Sequence, residues 1–91
     1  MGINEVILKV IDDQVIESYG LMKKAKYRGA VSYIANDFLI PTSYVARFFS
    51  VVNGTVIKSR TMFLQYYFVK EEYDELKQKI ENIINSKPLL N

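Results

Sequence analysis

The stretch NGTVIKSRTMFLQYYFV, residues 53–69, decides the fold class. Thr55, Val56 and Ile57 are β-branched and read as a short strand, and Lys58-Ser59-Arg60-Thr61 reads as a polar tip. Met62 to Val69 then reads as a longer strand carrying Phe63, Tyr66, Tyr67 and Phe68, with Gln65 the one polar residue in its interior. A strand this apolar packs on one face at least. Residues 55–69 are therefore expected to form a two-stranded hairpin, which makes the chain α+β.

Reading outward toward the N-terminus, Asn53-Gly54 tolerates the left-handed conformation in which helices end. The helix it ends is expected to start at Thr42 or Ser43, either of which can cap it, and to carry Val45, Phe48, Phe49 and Val52 on its apolar face. Pro41 stops the preceding helix and pushes Ile40 out of the α region. That earlier helix has Leu21, Ala25, Arg28, Val31, Ala35 and Phe38 three or four apart, with Gly29 as its weak point. Residues 3–19 admit two readings. Ile3, Val6, Ile7, Val10 and Ile11 fall at helical spacing, yet the segment is rich in β-branched residues and Asp12-Asp13 can divide it into a hairpin; the balance leans to strands. Toward the C-terminus, residues 71–86 form a helix with Glu71 and Glu72 in its first turn, where the dipole favours acids. Its stripe is Tyr73, Leu76, Ile80, Ile83 and Ile84, and Ser86-Lys87-Pro88 closes it.

The chain has 91 residues with no Cys, His or Trp, a length that suits one domain. These absences exclude disulfides, the usual zinc sites and histidine- or cysteine-based catalysis. The carboxylate pairs Asp12-Asp13 and Glu71-Glu72 come with no Gly-rich phosphate loop, so neither an enzyme, a metal nor a cofactor is expected. With no long apolar run and no leader pattern, the expected setting is the cytoplasm, away from membranes. The net charge of +2 conceals an uneven distribution. Residues 1–17 sum to −3 and residues 71–91 to −2, whereas residues 18–70 set eight Lys and Arg against Asp37 alone, a net +7. A basic middle between acidic ends is the asymmetry expected of a polyanion-binding face, though a solvated surface can also produce it.

The segment VSYIANDFLIPTSYVARFFSVV, residues 31–52, resembles a helix-turn-helix. Ala35 supplies the small residue where the helices cross, Ile34 and Phe38 face the core, Ile40 plugs the turn, and Val45 and Phe48 face back. Leu39 departs from the pattern, since many members have Gly there. The following NGTVIKSRTMFLQYYFVKEEYDEL, residues 53–76, is similar to the strand, wing, strand and final helix of winged helix-turn-helix regulators of the MarR and PadR type, with Gly54, Arg60, Tyr66-Tyr67 and Glu71-Glu72-Tyr73 in the matching places. The resemblance implies a single winged helix-turn-helix domain, with 31–52 the motif, 55–69 the wing, 71–86 the C-terminal helix and 1–20 an extension available to a protein partner. The Ile/Lys/Tyr-rich, Cys-free composition is similar to that of small DNA-binding proteins of archaea, their plasmids and viruses.

The function so implied is sequence-specific binding of double-stranded DNA, as a homodimeric transcriptional regulator or a plasmid-partition or other DNA-organising protein. Thr42 and Ser43 at the second helix's N-terminus are placed for a phosphate; Tyr44, Arg47 and Ser50 point outward. Arg47 is the leading base reader, because a guanidinium pairs with guanine through two hydrogen bonds. Lys58, Ser59 and Arg60 at the wing tip, and the run Lys23, Lys24, Lys26 and Arg28, are placed along the backbone. Tyr73, Leu76, Ile80 and Ile83 form a coiled-coil-like dimer seam. Two rivals stand beside this reading: an adaptor that uses the winged fold to hold an acidic partner, and stacking of single strands on the aromatic residues.

Overall fold

The computed structural model describes residues 2–19 and 24–86, and these form five helices. They are α1 Ile3–Tyr19, α2 Lys24–Asp37, α3 Thr42–Phe49, α4 Asn53–Tyr66 and α5 Lys70–Ser86, with no strand among the described residues. This corrects the α+β expectation, and with it the wing and the hairpin reading of residues 3–19. Leu21, Lys23, Lys87 and Pro88, invoked above, lie outside the described residues. No described helix is long and apolar enough to cross a membrane.

The supposed wing is α4. Val52 enters it with extended dihedrals (φ −82°, ψ 159°), and its carbonyl accepts from the Thr55 and Val56 amides. Asn53 and Gly54 therefore open a helix; they do not end one. The β preference of Thr55, Val56 and Ile57 spans only about 1 kcal/mol on measured scales. Burying Val56 and Phe63 on one helical face contributes about 1.5–3 kcal/mol each, which outweighs it. The helical period was hidden because Ile57 and Leu64 occupy the solvent side, leaving α4 apolar on both faces.

Gly29 is the reason α4 can pack where it does. A Cβ there would lie 2.6 Å from Phe63 Cβ and 2.7 Å from the Ser59 carbonyl oxygen. Only a bare α-carbon lets the two backbones approach this closely. Around the crossing, Phe63 is fully buried among Tyr19, Tyr33 and Phe68, at ring separations of 6.3, 5.7 and 6.2 Å. Tyr33 meets Tyr73 edge-on and Phe68 meets it at a tilt, both with centroids 5.2 Å apart, which carries the cluster into α5. Edge and tilted pairs of this kind add about 0.5–1.5 kcal/mol each beyond burial.

In α1 the buried face is Leu8, Ile11 and Val15, at helical spacing. Asp12 and Asp13 do not make a turn. Asp12 is buried and accepts a hydrogen bond from the Tyr27 hydroxyl of α2, while Asp13 pairs with Lys9 at 3.1 Å along the helix surface. Tyr27 also packs edge-on against Phe49 of α3 at 5.7 Å, so one tyrosine ties three helices together. At the far end of α2, Asp37 sits where the helix dipole disfavours an acid. The Tyr73 hydroxyl donates to it and Lys77 lies 3.6 Å away, which offsets that penalty.

Two expectations follow. Gly29→Ala is expected to lower stability by about 2 kcal/mol through overpacking, against an intrinsic helix gain of about 1 kcal/mol, and urea denaturation gives the sign. Burial, then hydrogen bonding to Asp12 and Asp37, raises the pKa of Tyr27 and Tyr73 above the ordinary 10.0. Below that value the stabilisation is fully present. As pH rises above about 10 the unfolded tyrosines ionise first and stability falls. Tyr73→Phe is expected to be less stable at neutral pH with a shallower alkaline decline, measured by unfolding from pH 8 to 11.

Candidate nucleic-acid interface

Helix α2 ends and α3 begins across four residues, Phe38 to Pro41. The Leu39 amide bonds to the Asn36 carbonyl (3.0 Å) and the Ile40 amide to the Ala35 carbonyl (3.0 Å). That pair of bonds is a Schellman closure, with Leu39 in the left-handed conformation at φ 61° and Ile40 buried beneath it. Leu39 thus takes the conformation that glycine favours, and its side chain is 88% exposed. Helix α3 closes in the same way. Ser50 is left-handed at φ 57°, its amide bonds to the Arg47 carbonyl and that of Val51 to Ala46. Ser50 is therefore the terminator of α3; it is not a residue one turn further along a recognition surface.

The N-cap position of α3 is Pro41, and no side-chain cap is made there; Thr42 and Ser43 are already helical. Val45 and Ala46 are buried, with Phe49 partly so. The remaining side of α3 carries Ser43, Tyr44, Arg47 and Phe48. Ser43 and Arg47 are exposed and Tyr44 is half-buried. The Arg47 guanidinium lies 5.2 Å from the Tyr44 ring centroid. Phe48, expected to face the core, is 38% exposed; Phe49 takes the inward place, and the two rings meet edge-on at 5.2 Å. With Glu5 and Leu8 of α1, the residues Tyr44, Arg47 and Phe48 line an apolar cleft of about 240 Å³. Sequence reasoning missed Phe48 and the two α1 residues. The signal available for Phe48 was the Phe-Phe doublet: helical neighbours point about 100° apart, so with Val45 and Ala46 on the buried side Phe49 falls between them and Phe48 falls outside.

The other basic residues divide between two places. Arg28 lies 6.0 Å from the Phe49 ring, on the α3 side. Lys24 is exposed at the start of α2. Lys26 sits 4.4 Å over the Tyr19 ring, in a separate groove of about 400 Å³ shared with Ser18, Glu72, Glu75 and Lys79. Burial raises the Tyr19 hydroxyl pKa there, with Glu72 adding to the effect. That groove is mixed in charge and does not continue the α3 face. Lys58, Ser59 and Arg60 were expected together at a wing tip, and a helix disperses them. Lys58 is exposed, Ser59 lies at the Gly29 crossing, and Arg60 donates to Asn36 Oδ1 at 3.1 Å.

The expected dimer seam is used within the chain. Tyr73, Leu76 and Ile80 are buried in the core and Ile83 is half-buried, so the stripe on α5 is covered mainly by α1. Comparison with protein-family models, curated proteins and solved structures finds no match to this chain.

Leu39→Gly is expected to raise stability by about 0.5–1 kcal/mol, because a left-handed conformation costs a β-carbon more than it costs glycine. For a domain of this size that is a rise in Tm of a few degrees, read by thermal unfolding.

Proposed function

We propose that this chain binds double-stranded DNA through the outward side of α3, as a regulator of transcription or a DNA-organising protein. One observation carries the reading. An eight-residue helix follows α2 across a left-handed turn, and on its outward side Ser43, Arg47 and Phe48 are exposed and Tyr44 is half-buried. A helix displayed in this way enters a major groove with its exposed side chains against base edges. The uneven charge supports the same reading, since the stretch that contains α3 is the basic one. A wing takes no part in the proposal. Nor does the α5 seam, whose apolar residues lie in the core.

Within this reading Arg47 reads a base, and Lys24, Arg28 and Lys58 are candidates for backbone contacts. A basic surface that contacts phosphates loses affinity steeply with salt. The test is fluorescence anisotropy on a duplex selected from a random pool, set against an unrelated duplex, across a salt series. Arg47→Ala is expected to weaken the selected duplex about tenfold or more and the unrelated one little. Lys58→Ala is expected to weaken both alike and to flatten the salt dependence. Equal losses on both duplexes for Arg47→Ala would remove its base-reading role. No binding to any duplex at low salt would remove the DNA reading and favour an acidic protein partner.

A further inference from the structure

Phe48 is the unexplained residue of the α3 face. It is a large apolar side chain held 38% exposed while its neighbour Phe49 satisfies the core. Its ring lines a cleft with Leu8 and Tyr44, and Arg47 borders the same cleft. Two properties of this cleft restrict what it accepts. Its lining is mostly apolar, and the acid Glu5 also borders it, with no ion pair between Glu5 and Arg47 among the described residues. The apolar lining offers a phosphate no donor, and Glu5 offsets the charge that Arg47 brings to the border, so the cleft suits an apolar group on a base edge better than the sugar-phosphate backbone.

In the major groove the prominent apolar group on a base edge is the C5-methyl of thymine, while guanine presents the O6 and N7 acceptors that suit a guanidinium. Resting on the DNA reading above, we infer that α3 recognises a guanine beside a C5-methylated pyrimidine. Arg47 takes the guanine acceptors, and the Phe48–Leu8–Tyr44 cleft takes the methyl group. Adjacent positions on the helix thereby read adjacent base pairs, one by charge-assisted hydrogen bonds and one by apolar contact. Thymine and 5-methylcytosine carry the same methyl at the same ring carbon, so the chemistry is shared and the base pair distinguishes the two sources.

The experiment uses the full chain and the duplex selected from a random pool, with each thymine replaced in turn by deoxyuridine, which removes only the methyl. Affinity at one salt concentration is expected to fall about fourfold at one thymine next to a guanine, the scale of a single buried methyl group. In Phe48→Ala that thymine-to-uracil ratio is expected to drop to one, with an unchanged helical circular dichroism spectrum. In Arg47→Ala the ratio persists while the guanine preference is lost. Placing cytosine or 5-methylcytosine at the same step tests the second source, and a gain of similar size on methylation is expected. Uracil tolerated at every position in the wild-type chain would overturn the inference, as would a ratio that survives in Phe48→Ala. Both results leave DNA binding itself intact, whereas absence of binding to any duplex would remove the inference together with the function it rests on.

Discussion

The close approach of α2 and α4 at Gly29 is the constraint on which the remaining helices depend. The position leaves no room for a β-carbon, because a backbone carbonyl and the base of Phe63 already occupy that space. Once α4 lies there, Phe63 is buried at the centre of an aromatic cluster that receives Tyr19, Tyr33 and Phe68. Tyr73 of α5 joins through Tyr33 and Phe68. The apolar stripe of α5 is then used up inside the chain, mainly against α1. The helix propensity that Gly29 sacrifices is about 1 kcal/mol, small beside the side chains whose burial the crossing permits.

On the opposite side of α2, polar anchors do the equivalent work. Asp12 is a buried acid, which is costly without a donor, and the Tyr27 hydroxyl supplies one. Because Tyr27 also packs on Phe49, the hydrogen bond that satisfies α1 helps set the position of α3. The outward side of α3 is thereby a consequence of how its inward side is held. Val45 and Phe49 face the core, and Arg47 and Phe48 are what the helical geometry leaves facing out.

The parts of the molecule legible in advance were those where local chemistry and packing agree. Pro41 and Ile40 marked the break between α2 and α3, and Ile34, Ala35, Ile40 and Val45 were placed in the core, where they lie. The outward direction of Arg47 followed from the same spacing. The misread segments share a cause. Residues 3–19 and 53–69 are rich in β-branched and aromatic side chains and carry apolar residues around much of the helix. Local preference then points to strands, and in residues 3–19 it outweighed the helical spacing of Ile3, Val6, Ile7, Val10 and Ile11. Asn53-Gly54 compounded the error, being as acceptable in the first turn of α4 as at the end of α3.

By itself the sequence determined the absence of histidine and cysteine chemistry, the basic middle between acidic ends, and the position of the α2–α3 turn. Composition, charge and a proline act locally and need no partner to be read. The tertiary structure alone decided that residues 53–66 are helical, because the deciding energy is burial of Val56 and of Phe63, and Phe63 is seated at Gly29, a contact some thirty residues distant in sequence. It also decided which phenylalanine of the Phe48-Phe49 pair faces out, since only the placement of α1 and Tyr27 distinguishes them. The chain carries the options locally, and long-range packing chooses among them.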